Sequence, residues 1–268
     1  MNKGICVVAQ NNSACNYVRQ AGMLAKSVKK FNKDEKISII TNDKIPDNMV
    51  ELFDQVINID NDTTQLNEWR IRNRKLIYKL SPYDETLVFD TDVLVLQNLN
   101  EVWSRLKNED LYFTTEVRNH RDNKIIYDTF HRKTFIDNML PNIYSALFYF
   151  KKTKDNDKFF ETLELIVDNF DEFANVLTPV NKQKFCSIDV ALAMCVKILN
   201  VKISKNKFPL IHMKTPLQNL YDVNKWSDSV LTFANNDGVF INNYKQYGFL
   251  HYVEDGFIKD EIIEWLDD

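Results

Sequence analysis

The sequence predicts an α/β protein, with a Rossmann-like, mostly parallel central sheet flanked by helices in one continuous unit spanning residues 1–268. Two observations carry this expectation. Through the first hundred residues, short apolar runs alternate with longer stretches whose apolar residues recur at helical spacing. The 268 residues, 44% hydrophobic and 27% charged, also contain no internal repeat, low-complexity segment or Pro/Ser-rich linker that would divide them. Strand–helix alternation of this kind favours parallel strands with crossover helices. Ligands of such sheets bind at the carboxyl ends of the strands.

Ile5–Ala9 reads as a buried strand, and Tyr17–Phe31 as a helix with Val18, Ala21, Leu24, Ala25 and Val28 on one face. Ile37–Thr41 is a second strand, closed by Asn42-Asp43. A short amphipathic helix over Asp47–Phe53 leads to a third strand, Val56–Ile59. Glu68–Leu80 reads as a helix stopped by Ser81-Pro82, because the residue before a proline is driven out of the helical region. Thr86–Phe89 and Val93–Leu96 are apolar runs on either side of Asp90-Thr91-Asp92. In the second half, Leu111–Thr115 and Ile143–Phe150 read as strands, and Lys158–Asn169 and Ile188–Leu199 as helices. Two late apolar runs, Phe208–His212 and Gly248–His251, each end in a histidine before a closing helix, Lys259–Leu266. Residues 116–140 are polar, basic and aromatic, and their pattern assigns no element.

Composition removes several classes of function. The five glycines (Gly4, Gly22, Gly238, Gly248, Gly256) lie no closer than eight residues apart, so neither a dinucleotide fingerprint nor a P-loop can be drawn. Any phosphate must be held by something other than a glycine cradle. Cys6, Cys15, Cys186 and Cys195 show no CxxC spacing and read as free thiols of a reducing cytosol, a cytoplasmic setting. No apolar run approaches the roughly 20 residues of a membrane helix, and the first ten residues read as a strand rather than a leader. A net charge of −4 argues against broad binding to nucleic acid or anionic membranes.

Carboxylates two residues apart can jointly hold a divalent cation, which in turn can bind a diphosphate. Asp60/Asp62 and Asp155/Asp157 have this spacing in polar surroundings and read as solvated turn carboxylates. Asp90 and Asp92 differ, because they separate two apolar runs. Charges between buried strands need a compensating partner, which makes this pair the candidate centre.

Leu87-Val-Phe-Asp-Thr-Asp-Val-Leu-Val-Leu96 resembles the metal-binding DxD segment of nucleotide-sugar glycosyltransferases of the A-type fold (GT-A), especially the family 8, glycogenin-like group. The first strand with Ala9-Gln10-Asn11, and the helix from Tyr17 to Ser27, are similar to that group's first β–α unit. There a tyrosine opening the helix packs on the nucleotide base. The helix Arg70–Leu80 is similar to the one carrying the family's basic donor-contacting residue, with Arg74 the best match and Lys75 the runner-up. Ser187-Ile188-Asp189 resembles the acidic motif that contacts the donor sugar, and Asp189 takes the catalytic role in the resemblance.

The resemblance implies a single GT-A domain, with residues 1–100 as the nucleotide-sugar half and 101–268 as the acceptor-side half with its closing elements. It implies a metal-dependent transfer from a nucleotide-diphosphate sugar, in first place a UDP-sugar, with retention favoured. The donor would meet Ala9, Gln10, Asn11, Tyr17, Arg74, Asp90, Thr91, Asp92, Ser145 and Lys214. Mn²⁺ or Mg²⁺ would sit on Asp90, Asp92 and one of two histidines, His251 or His212. An imidazole suits a transition metal, and Lys214, two residues after His212, suits phosphate.

Departures from the family pattern keep rivals in view. Tyr144-Ser145-Ala146 stands where the family has Asn-Ser/Ala-Gly, Ser187 replaces an acidic residue, and the closing His-x-x-Gly-x-x-Lys-Pro-Trp motif is not intact. A domain that binds nucleotide-sugar without turnover is one alternative. A haloacid-dehalogenase-like phosphatase also uses an Asp-x-Asp, but wants Thr or Val where Leu94 stands. A sugar-nucleotide pyrophosphorylase would need a glycine-rich loop after the first strand, and Ala9–Ser13 has none. The acceptor (glycan, protein, lipid or modified nucleic acid) would be met by residues 116–140, where Arg118, His120, Arg121, His131 and Arg132 lie.

Overall fold

The computed structural model describes residues 2–60, 62, 70–125, 132–213 and 226–268. In chain order the first elements are β1 (Lys3–Val8), α1 (Tyr17–Phe31), β2 (Ile37–Ile40), α2 (Asp47–Val50) and β3 (Gln55–Ile57). A 3₁₀ segment, Arg70–Leu76, runs into α3 (Ile77–Leu80), followed by β4 (Glu85–Phe89), β5 (Val93–Leu96), α4 (Asn100–Leu106), β6 (Leu111–Thr114) and β7 (Val117–Arg118). Then come α5 (Lys133–Asp137), β8 (Tyr144–Lys151), α6 (Lys154–Asp168), α7 (Phe170–Leu177), α8 (Ile188–Leu199) and β9 (Leu210–His212). A hairpin sheet, β10 (Thr232–Asn235), β11 (Gly238–Ile241) and β12 (Tyr244–Lys245), precedes β13 (Gly248–His251) and α9 (Asp260–Asp267).

The main sheet has the order β3-β2-β1-β4-β8-β6. Its first four strands are mutually parallel, and β8 runs antiparallel to both β4 and β6. This is the expected α/β architecture. Alternation along each strand divides the core between the two faces of the sheet. Ile5, Val7, Leu87 and Phe89 pack with α1 and the second sheet, while Cys6, Val88, Phe148 and Phe150 pack with α6 and α8. Because β1 and β4 run parallel in register, their carboxyl ends open side by side.

Val93–Leu96 does not continue the main sheet. After β4 the chain turns at Asp90-Thr91-Asp92 and enters a second sheet of order β5-β13-β9-β7. The helix α1 ties this departure down: Ser27 Oγ, buried at the interface, accepts a hydrogen bond from Val95 N at 2.9 Å.

Several elements differ from the sequence expectation. The described part of Glu68–Leu80 is mostly 3₁₀, with α-helix only in its last turn. Helix α6 begins at Lys154 rather than Lys158, because Thr153 caps it by accepting from Asn156 N at 3.3 Å. Asp155 and Asp157 therefore lie in the first turn of a helix, where negative charge is favourable, not in a loop turn. The unassigned stretch 116–140 contains β7 and α5.

The glycine of β1 is held by packing. A Cβ added at Gly4 would lie 2.5 Å from the ring of Tyr83. Tyr83 is 2% exposed and its hydroxyl shares a 2.7 Å hydrogen bond with Ser38, so the ring has nowhere to move. Gly4→Ala is expected to lower the unfolding free energy by about 1–3 kcal/mol through overpacking. A urea midpoint equal to the wild-type value would contradict this account.

Candidate active site

Strand β4 ends at Phe89, and Asp90 N donates to Ala146 O on β8 at 3.1 Å, which anchors the start of the turn. Its far side is set by strand register. In the antiparallel β5–β13 pair His251 lies opposite Val93, and Tyr252 N donates to Asp92 O at 3.0 Å. Residues 159 and 161 positions apart are thereby brought together: His251 Nε2 lies 3.1 Å from Asp92 Oδ1 and 3.9 Å from Asp90 Oδ2. One ligand atom from each of Asp90, Asp92 and His251 falls within 4.8 Å of the other two. Among the described residues this is the one cluster of metal-ligating side chains.

Charge balance in this cluster is uneven. Burial pushes Asp90 above the ordinary carboxylate value; Arg74 opposes the shift, and Asp92 adds to it. Burial acts on Asp92 in the same sense, but the charge of His251 and its hydrogen bond outweigh it and hold Asp92 below the ordinary value. For His251 burial disfavours the charged ring, yet Asp92, by charge and hydrogen bond, and then Asp90 raise it. The two part-buried carboxylates thus share Arg74 and His251 as counter-charges, and Asp90 is the less fully compensated of the two. Atoms bonded to one ion at roughly 2.0–2.2 Å lie about 3–4.3 Å apart, and the 3.1 and 3.9 Å separations fall in that range. Two carboxylates and an imidazole so placed could together hold a divalent cation.

Arg74, from the 3₁₀ segment, supplies the existing counter-charge: its Nη2 lies 2.5 Å from Asp90 Oδ1 and also donates to Ser145 O at 3.1 Å. Lys75, the alternative, points away and pairs with Asp168. A cleft of about 210 Å³ opens beside the turn, lined by Val8, Gln10, Tyr17, Arg70, Ile71, Arg74 and residues 90–92. Burial pushes the Tyr17 hydroxyl up to about 12, so it stays protonated at neutral pH.

Ala9 is fully buried, with its N–H given to Ile40 O. Asn11 braces the loop, its N–H donating to Asp43 Oδ2 at 2.6 Å and its Oδ1 accepting from Val18 N at 3.0 Å. Neither lines the cleft. The ring of His212 stands edge-on to that of His251, with centroids 4.8 Å apart, but His212 is not part of the Asp90/Asp92/His251 cluster. Lys214 and His131 lie outside the described residues.

Asp189 sits at the start of α8 and is held at both oxygens. Ser145 N donates to Oδ1 at 2.8 Å, and Arg132 Nη2 donates to Oδ2 at 2.9 Å. Ser145 therefore takes part through its backbone. Arg132 is 6% exposed, donates also to Ile143 O at 2.9 Å, and lies 3.6 Å from the ring centroid of Tyr144. It is a buried counter-ion, not an exposed acceptor-facing cation. His120 is likewise buried, whereas Arg118 pairs with Asp122 at the surface and Arg121 lies over the exposed Tyr244.

The solvated reading of Asp62 is also corrected. Its carboxylate accepts from Gln10 Nε2 at 2.6 Å and from Asn73 Nδ2 at 3.1 Å, while Asn73 Nδ2 donates to Gln10 Oε1 at 2.7 Å. This triangle fixes the Gln10 amide at one end of the cleft. Asn73 and Arg70 lie on the same segment as Arg74 and Lys75, the two candidates the sequence offers there. The available signal was a run of polar residues there, Arg70, Arg72, Asn73, Arg74 and Lys75, rather than one.

No protein-family profile matches the chain, and no curated protein matches it. Solved structures do match in shape. The galactosyltransferase LgtC, solved with donor and acceptor sugar analogues, is 14% identical over 98% of this chain and 95% of its own, with a TM-score of 0.52. The apo bifunctional glycosyltransferase WbbM is 13% identical with a TM-score of 0.52; it is matched by all of this chain, which spans 50% of WbbM. Apo mouse xyloside xylosyltransferase 1 is 9% identical over 76% of this chain and 84% of its own, with a TM-score of 0.50. This chain spans 45% of the length of GlyE from Streptococcus pneumoniae. The mostly parallel sheet flanked by helices, with β8 as its one antiparallel strand, is the GT-A glycosyltransferase fold.

Proposed function

We propose that the protein is a divalent-metal-dependent glycosyltransferase that moves a sugar from a nucleotide-diphosphate sugar, in first place a UDP-sugar, to an acceptor hydroxyl. The convergence of Asp90, Asp92 and His251 at the carboxyl end of β4, beside a cleft walled by Tyr17, carries this reading. The family 8 assignment and the preference for retention rest on the sequence resemblance.

In the reaction the bond from the sugar's anomeric carbon to the diphosphate oxygen breaks, and the acceptor oxygen bonds that carbon and loses its proton. The barrier lies largely in the charge that develops on the departing diphosphate. A cation bound by Asp90, Asp92 and His251 would supply Lewis-acid stabilisation of that charge. Arg74 adds a fixed positive charge beside it, and Lys214 is the candidate for a second. The Tyr17 ring, with Gln10 and Arg70 at the same cleft, would hold the nucleoside. Asp189 is close enough to the turn for its charge to raise both Asp90 and His251. Held by Arg132 and Ser145 N, it is oriented to accept from a donor-sugar hydroxyl.

With Mn²⁺ present, the matching nucleotide-sugar is expected to raise the melting temperature, since a ligand at a hundred times its Kd stabilises by about 2.7 kcal/mol. Mn²⁺-dependent donor hydrolysis should accompany the shift, and both should vanish in Asp92→Ala. A panel of nucleotide-sugars that produces no shift would sink the donor site. A shift without hydrolysis would point to a binding domain, and phosphate release from a monoester to the phosphatase. Losing Arg132 takes the charged partner from the part-buried Asp189 carboxylate, so Arg132→Met is expected to cost about 2 kcal/mol in urea unfolding. Arg132→Lys, with the charge but not the two-pronged geometry, should recover only part of it. Unfolding curves that superimpose on the wild type would refute the pairing.

A further inference from the structure

Gln20 lies on α1 one turn after Tyr17, at a position surrounded by apolar core residues, and is 2% exposed. A buried primary amide must satisfy both of its ends. Here Nε2 donates to Asp255 Oδ1 at 2.5 Å, and Oε1 accepts from Thr91 Oγ1 at 2.9 Å. Only one orientation of the amide works, because reversing it would set the carbonyl oxygen against the Asp255 carboxylate. Thr91, 5% exposed, is the residue between the two metal-facing carboxylates. Asp255 begins a 3₁₀ turn four residues after His251, and its Oδ2 accepts from Cys15 Sγ at 3.6 Å.

One side chain therefore bridges three pieces of chain: the helix that begins at Tyr17, the Asp-Thr-Asp turn, and the C-terminal segment that follows His251. The backbone link from Tyr252 N to Asp92 O holds the turn and that segment together from one side. The Thr91–Gln20–Asp255 relay holds them from the other. We infer that Gln20 is a positioning residue, one that fixes the rotation of the Asp90-Thr91-Asp92 turn so that both carboxylates and His251 face a single divalent cation. The inference rests on the metal-dependent reading above. Gln20 touches neither carboxylate and acts only through Thr91. Partners of this indirect kind commonly govern metal affinity by roughly 10–100-fold.

The test is calorimetric titration of Mn²⁺ alone into the full chain, with thermal melting in metal-free buffer reporting the fold. Gln20→Leu and Thr91→Val should each weaken Mn²⁺ binding roughly tenfold. The double variant should be no weaker than either single one, because both remove the same bond. Thr91→Ser, which keeps the hydroxyl, should recover the wild-type affinity. A merely structural role for Gln20 would lower the melting temperature and leave Mn²⁺ affinity unchanged, and that result overturns the inference. So do losses that add in the double variant. If Gln20→Leu does not fold, the Thr91→Val and Thr91→Ser pair decides by the same criterion. Wild-type protein that binds no Mn²⁺ overturns the metal reading and this inference together; wild-type binding with unaltered variants overturns this inference alone.

Discussion

The structure is organised around one electrostatic constraint: two carboxylates, Asp90 and Asp92, placed where the chain passes from one sheet to another. Their side chains are 20% and 16% exposed, so water compensates their charge only in part. Burying such a group without a partner is very costly. Arg74, His251 and the backbone of the turn share the compensation. That compensation is unequal: burial leaves Asp90 shifted up, while His251 holds Asp92 down. This imbalance is a property of the fold rather than of any one side chain.

Meeting that constraint determines how the surrounding elements are used. The diversion of β5 into the second sheet creates the turn, and pairing with β13 brings in His251 at a fixed register. Slipping that register by one residue would turn the imidazole to the opposite face. The 3₁₀ segment carries Arg74 to Asp90 and, through the same guanidinium, to the backbone of Ser145. From Ser145 the contacts pass to Asp189 and then to Arg132, buried against Tyr144. Alternating charges thus run from the turn into the core on the α8 side. Removing any one of them takes a charged partner from its neighbour.

Much of the first half of this fold was legible in the sequence, because its strands and α1 are strongly periodic and short loops join them. Asp90 and Asp92 stood out for a physical reason, being charges between apolar runs. The C-terminal hairpin was not legible: its strands are short, and much of their surface is polar or exposed. The 3₁₀ character of residues 70–76 was hidden as well, since over so short a span its pattern does not separate from that of an α-helix. Pairings such as Arg132 with Asp189, 57 residues apart, leave no local trace. Gln20 left a faint one, an amide three residues after Tyr17 and four before Leu24, on the apolar side of an otherwise regular helix.

The scarcity of glycine acquires its meaning from the same geometry. A glycine cradle works by leaving backbone N–H groups free to point at phosphate. Here several N–H groups at the strand ends that border the site are already committed to the fold. Ala9 N donates to Ile40 O, Asn11 N to Asp43, Asp90 N to Ala146 O and Ser145 N to Asp189. With those donors engaged, an anionic ligand entering the cleft would meet side chains, and among the described residues the positive charge lining it is on Arg74 and Arg70. Recognition by charged side chains and a cation is longer-ranged than recognition by neutral amides, and it is more sensitive to ionic strength. Such a site gains in attraction for anionic donors what it gives up in geometric exactness. That places the burden of orientation on the residues that hold the turn, the guanidinium groups and Asp189 in place.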